Sequence, residues 1–415
     1  MSIERIKALR MFLVVAIVLW ICYATPCQAS IVSVGTCVGG GPHFTTIQEA
    51  VNAVPAGSTI LVCPGNYPEQ VMITKALTLK GVSRGTLDAP TVVSPVGGMV
   101  QNATSLTSGN PIAAQILVQT TTGVNITGIS LDGSNNQLTG CGPDLIGIYY
   151  QNASGIVTNV VIRNETLTSS LNGCQSGAGF FAQSGNSGAS TVTVSESTVR
   201  NYQKNGITGN EVGTNVTILN NIVVGQGPTT GAAENGIQIG FGAAGKVTGN
   251  IVIDDIYSPG NVAAAGILVF ASSGITVTSN TVGNTQQGIA IVTDTVDGYG
   301  VADSATVTAN RVFGTQLFDA IDLCSNNNMA ETNTISGSAQ SGVHLDSGCA
   351  STGNGNTVTK NTIQEACAGI LEGTGTSGNT ASQNMFFDVR NTVLAGDSCS
   401  PLFTQTRKAP LEPFR

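Results

Sequence analysis

The chain has 415 residues and a formal charge of −8, and only 10% of its residues are charged, against roughly 25% in an ordinary soluble domain. The acids are scattered and no basic patch with interleaved aromatics occurs, which excludes a nucleic-acid partner. Val and Ile recur throughout, which excludes disorder. Glycine numbers 52, and Asn, Thr, Ser and Val dominate from about residue 115, the make-up of a β-rich repeat with many tight turns.

In chain order, Arg5, Lys7 and Arg10 precede a 14-residue apolar run, Met11–Ala24, and small residues follow it. Residues 1–29 are therefore predicted to be an export signal cut after Ala29. The run is short of the ~20 residues a spanning helix needs, so an uncleaved anchor is the lesser reading. Export implies a secreted or periplasmic chain with no membrane attachment after cleavage. Removing Cys22 and Cys27 leaves 8 of the 10 cysteines, an even number that fits disulfides in an oxidising compartment. Pairing of sequence neighbours, Cys37–Cys63, Cys141–Cys174, Cys324–Cys349 and Cys367–Cys399, is the simplest of about a hundred connectivities.

Residues 30–97 read as a cap and first rungs. Thr46 and Glu49 form a capping box. Ile47, Ala50, Val51 and Val54 line one helical face. Pro55 and Gly57 end the helix, and "STILVC", "QVMI" and "LTLKGV" follow as strands. Residues 98–395 read as repeats and 396–415 as a tail. A Gly-Ile strand recurs with its glycine-equivalent position at 147, 179, 206, 236, 266, 288, 320, 342 and 369, in steps of 22 to 32 residues. A second strand, close to Val-Thr-x-x-Asn, ends in asparagines 221, 250, 280, 310 and 361. Short strands in fixed order at such a period mark a solenoid. The repeated asparagines have two expected uses: a left-handed turn and a hydrogen-bonded ladder. The expected fold is all-β, a right-handed parallel β-helix solenoid with an N-terminal α-helical cap.

The amphipathic helix before short strands, with the repeats behind it, resembles right-handed parallel β-helix proteins of the pectin-lyase-like kind. The resemblance covers nearly all of the mature chain and extends to NosD-like accessory proteins and carbohydrate-binding or sugar-hydrolase-like β-helix repeats. The opening "FTTIQEAV" is similar to that of pectin methylesterases, but their "QDTLY" and "DFIFG" motifs are absent, as are the polygalacturonase and pectate lyase signatures. The resemblance therefore implies the fold and names no reaction.

Alternation places side chains. Residues one and three places after each glycine are apolar and should face inward; those two and four places after should face out. Asp322 and His344 then become outward neighbours on adjacent rungs, with Asp346 on the same face and Asp319 at the preceding turn. Carboxylates beside an imidazole are the residues of an acid–base cluster; a plain surface ion pair is the alternative. Tyr149, Phe181 and Phe270 share that face as candidates for stacking sugar rings, or as aromatics covered by inserted loops. Asp254, Asp255, Asp294, Asp297 and Asp303 sit at long-rung insertions, where calcium is possible; no other cofactor is expected. Arg311 and His43 carry no distinguishing context. Two functions follow. One is an exported monomer that binds or acts on an extracellular, acidic polysaccharide as lyase, hydrolase or epimerase. The other is a non-catalytic surface, adhesion or accessory β-helix.

Overall fold

The computed structural model describes residues 28–83, 89–399, 411 and 413–415. The predicted export signal lies outside the described residues except for Gln28 and Ala29. The fold is the expected right-handed parallel β-helix, its strands stacked along one axis in two hydrogen-bonded sheets. Each coil contributes three strands. One coil runs Asn205–Asn210, Thr214–Leu219 and Ile222–Thr229 before the chain returns to Asn235–Gly240. Asn205–Asn210 pairs in parallel with Asn235–Gly240, so the coil itself supplies the crossover that parallel strands require. Below, the stack of Gly-Ile strands is called the groove wall.

The cap helix α1, Ile47–Ala53, begins at Thr46, whose side chain accepts from the Glu49 backbone N–H while Glu49 reaches back to the Thr46 N–H. The helix buries Ile47, Ala50 and Val51. It covers apolar interior that the first coil would otherwise expose.

The alternation holds. Ile237, Ile239, Ile267, Val269, Ile289, Ile291, Ile321, Leu323, Val343 and Leu345 all belong to one continuous core inside the coil. Two ladders pin the corners. Asn221, Asn250, Asn280, Asn310, Asn333 and Asn361 each donate Nδ2 to the next Oδ1 at 2.9–3.0 Å, ending at Asn384. Asn328 does the same to Asn356 at a second corner. One expectation needs correction: the ladder asparagines do not hold the left-handed turn. That conformation falls one residue earlier, on Asn220, Gly249, Ser279, Ala309, Thr332, Lys360 and Gln383. Gly249 and Asn220 adopt it readily, whereas Ser279, Ala309, Thr332, Lys360 and Gln383 disfavour it and sit beside the ladder's cross-rung bonds.

The four disulfides are Cys37–Cys63, Cys141–Cys174, Cys324–Cys349 and Cys367–Cys399. They are the pairs expected from sequence order. No helix among the described residues is long and apolar enough to cross a membrane.

Candidate functional site

The strands Ile321–Cys324 and Thr334–Leu345 pair with Asp322 opposite His344. Val343 and Leu345 enter the core, so His344 between them points to the outer side of the groove wall. His344 Nδ1 lies 3.1 Å from Asp319 Oδ2. The other oxygen of Asp319 accepts from the Ser341 backbone N–H at 3.0 Å and from its hydroxyl at 2.6 Å. Asp319 is thus held in place and in turn orients the imidazole. Asp346 Oδ2 is 3.9 Å from Nδ1, and Asp346 accepts from the Gly348 N–H at 2.7 Å. Asp322 accepts from Gln287 Nε2 at 2.7 Å.

With Nδ1 committed to Asp319, Nε2 is the free position of the ring. It is buried and has no hydrogen-bond partner. Burial works against a charged imidazole here. The charge and hydrogen bond of Asp319, with Asp346 and Asp397 behind it, outweigh that and hold His344 above its ordinary value. Burial pushes the Asp346 carboxyl up, against the pull of His344. The arrangement is an oriented carboxylate–imidazole pair with one ring nitrogen available for a proton, a ligand atom or a metal ion.

The structure brings all four predicted acid–base residues together, but it does not expose them. Asp319, Asp322, His344 and Asp346 are each 5% exposed or less. This burial is not a register slip, because the inward set is intact. The outer side of the groove wall is itself covered by a second layer.

That layer also corrects the open stacking platform. Tyr149 and Phe181 stack at 5.1 Å, and Phe270 packs against Phe241 and Tyr299. Tyr149, Phe181 and Phe270 are buried. Large rings on the outer wall gain more from a dry contact than from water, and three segments provide it. Around Ala103–Thr107, the Thr104 carbonyl accepts from Gln151 Nε2, while the Ser105 and Thr107 hydroxyls accept from Gln183 Nε2. The turn carrying Tyr299 covers Phe241 and Phe270. Residues 411 and 413–415 lie between them.

Sequence reasoning did not single out the polar lining. Gln151, Gln183, Asn210 and Gln238 are all buried on the outer wall and hydrogen-bond beneath the roof. Their signal was present: amides recur at the outward places of four rungs, where a bare surface would carry charges. A cavity of about 280 Å³ is lined by Phe270, Val292, Asp294, Asp297, Cys349 and Leu411.

The other candidates lie apart. Asp255 is buried and accepts from the Tyr202 hydroxyl at 2.6 Å. Asp294 accepts from the Asp297 N–H, and Asp303 from the Asn326 N–H. Among the described residues, the loop acids 254, 255, 294, 297 and 303 join no group of three that could share an ion. Two such groups exist: Asp319–Asp322–His344, and Cys324–Asp346–Cys349. The second has its sulfurs tied in a disulfide. Arg311 lies over the Phe313 ring on another strand stack, and His43 pairs with Ser33 near the cap.

The family described as "Periplasmic copper-binding protein (NosD)" matches residues 189–407. No curated protein matches the chain. Among solved structures, the chain is similar to the Yersinia enterocolitica family 28 exopolygalacturonase, at 12% identity and a TM-score of 0.56, covering 88% of this chain and 78% of that one. A PL6 alginate lyase in complex with a trisaccharide gives 12% and 0.55, covering 90% and 89%. The Eubacterium ramulus GH136 lacto-N-biosidase gives 12% and 0.55, covering 86% and 67%. At these identities the likeness is one of fold.

Proposed function

This chain belongs to the NosD family, and from that premise we propose that it binds extracellular polysaccharide along the groove wall and acts on it with the His344 cluster. Its disulfides and its periplasmic family place it outside the cytoplasm. The observation that carries the reading is His344 itself: Nδ1 held by Asp319, Nε2 buried and unpartnered, and more carboxylates within reach. His344, whose hold on its proton is strengthened by its neighbouring carboxylates against the effect of burial, serves as proton donor to a glycosidic or ring oxygen. Asp346, raised by burial, stands beside it to exchange a proton. Asp319 is the positioning residue. The amides of Gln151, Gln183, Asn210 and Gln238 and the nearby rings supply hydrogen bonds and stacking for sugar units.

The test is product formation by the mature protein and its His344→Ala variant on neutral glucans, galactans, pectate and alginate. New reducing or unsaturated ends that vanish in the variant support the reading. Unchanged turnover in the variant refutes the role of His344.

A second reading rests on the donor set. Asp319, Asp322 and His344 each offer one atom, all within 4.8 Å of one another. Copper(II) accepts imidazole nitrogen with carboxylate oxygen, and these residues fit it. Copper(I) prefers thiolate or thioether, which the set lacks. Copper(II) bound there would be held by the His344 imidazole with the Asp319 and Asp322 carboxylates and would supply Lewis-acid or electron-transfer chemistry. Titration with copper(II), read by electron paramagnetic resonance in the wild type, His344→Ala and His43→Ala, tests this. A nitrogen-coupled signal lost only in His344→Ala supports it; the same spectrum in all three refutes it.

A further inference from the structure

Residues 411 and 413–415 come back across the molecule to the groove wall, and the contacts they make are those of a ligand in a built site. Phe414 donates its backbone N–H to Gln238 Oε1 at 2.9 Å. Its carbonyl accepts from Gln238 Nε2 at 2.8 Å and Asn210 Nδ2 at 2.6 Å. Gln238 thus pairs with both backbone polar groups of one residue, as a neighbouring strand would. The Phe414 ring meets Phe181 edge-on at 5.2 Å, extending the stack that begins at Tyr149. Arg415 lies against Phe241 at 4.8 Å and Tyr299 at 5.0 Å, and its Nε bonds Glu211 at 3.1 Å. Leu411 bridges to Ala263 and closes one side of the cavity at Phe270.

The receiving side chains are arranged without the strap. Gln238 Nε2 also reaches Asn210 Oδ1 at 3.0 Å, and Asn205 Nδ2 reaches Gln238 Oε1 at 3.0 Å. Glu211 is fixed by the Thr107 hydroxyl at 2.8 Å. A slot whose polar groups hold one another can be emptied without orphaning them, since water takes the vacated bonds. Its chemistry, an aromatic platform with paired amides and a carboxylate, is also that of a sugar subsite. Gln238 is four rungs from His344, roughly 19 Å along the axis. A polymer lying along the wall toward His344 meets the strap first.

We propose that residues 411 and 413–415 form a releasable strap, a cis-acting occupant of the groove that must leave before a glycan can enter. The gating half rests on the polysaccharide reading; the slot does not. The experiment uses the mature protein, a form lacking residues 411–415, and Phe414→Ala/Arg415→Ala in case the deletion does not fold. The first probe is a labelled peptide of the chain's own residues 409–415, Ala-Pro-Leu-Glu-Pro-Phe-Arg, with a scrambled control. The strap-free form is expected to bind this peptide at least tenfold tighter than the intact protein does, and to ignore the control. Equal or absent binding overturns the slot. So does a double variant that unfolds, which would make the strap a structural clamp. The second probe is the same panel of neutral and acidic glycans, where strap removal is expected to raise binding at least tenfold. Glycan bound equally by both forms overturns the gating while leaving the polysaccharide reading intact. Peptide bound but glycan bound by neither upholds the releasable slot and sinks the polysaccharide reading.

Discussion

Replacing Asn280 by Ala tests the ladder at its centre. The Asn280 side chain makes four hydrogen bonds. It accepts from the Asn250 N–H and Nδ2, both at 2.9 Å, and donates to the Val247 carbonyl and to Asn310 Oδ1, both at 3.0 Å. These losses are unequal. Asn310 Oδ1 keeps the Asn280 backbone N–H, and Asn250 Nδ2 keeps two carbonyls. The Asn250 N–H is left with no acceptor in a buried corner, at about 1–3 kcal/mol, and the other three bonds contribute about 0.5–1.5 kcal/mol each. The strained left-handed Ser279 then loses the bonds beside it. These terms sum to a destabilisation of about 2.5–7.5 kcal/mol, a large share of an ordinary domain's ~5–15 kcal/mol. Urea unfolding followed by far-UV circular dichroism measures it, as a lower midpoint at unchanged slope. Asn384→Ala is the comparison, because that residue ends the ladder, is half-buried and makes three of these bonds where Asn280 makes four; water reaches that end, so its cost is expected to be the smaller of the two. Equal effects at the two sites, or a loss below about 1 kcal/mol at Asn280, would refute the claim that ladder bonds hold the corners.

Burial pushes the Asp144 carboxyl up from 3.8 to about 7. A carboxyl raised in the folded state contributes stability below its unfolded value, and that contribution is lost as pH climbs through the folded one. At most about 4 kcal/mol is lost between pH 4 and 8. Asp144→Asn should therefore raise the urea midpoint at pH 8 and leave it nearly unchanged at pH 4; an equal shift at both would refute the assignment. With two histidines in the chain, imidazole proton NMR resolves His344, which should titrate above its ordinary value of 6.5. Its pairing with Asp319 stabilises the fold below that value and ceases to do so as pH passes the folded one. Asp319→Asn should move the titration down, since burial then meets less opposition; an unmoved curve would refute the pairing. Replacing Cys324 and Cys349 by Ser opens a loop of sequence separation 25 and should cost about 3 kcal/mol by urea unfolding.

The inner layer was legible because it is periodic. A strand such as Asn235–Gly240 carries Ile237 and Ile239 inward in each repeat, and a period of two fixes the face of every side chain between them. The acid–base group followed from the same rule, since Asp322 opposite His344 is a statement of register. Asn280 was legible as a recurring residue, but its task was only half read. Asparagine suggests a left-handed φ, yet here that strain falls on Ser279 and the side chain of Asn280 supports it. Local preference was overridden by bonds to the rungs above and below.

The outer layer was not legible, for a reason that also bears on function. Its contacts join parts of the chain far apart: Asn210 to Phe414 across 204 residues, and Gln183 to Thr107 across 76. No spacing rule reaches that far. Tyr149 and Phe181 therefore read as either a sugar platform or rings covered by loops, and the structure makes them the floor of a closed groove. Yet the floor was built for polar company. A wall meant only to be roofed would place aliphatic side chains outward, as the core does inward, and avoid the cost of burying amides. Instead Gln151, Gln183, Asn210 and Gln238 are buried there, each with partners across the roof. Buried amides give direction and not only adhesion, because they reject any occupant that leaves them unpaired. A groove that selects its own roof this way can also select what replaces it, which ties the amide column, the strap and the unpartnered nitrogen of His344 to one surface.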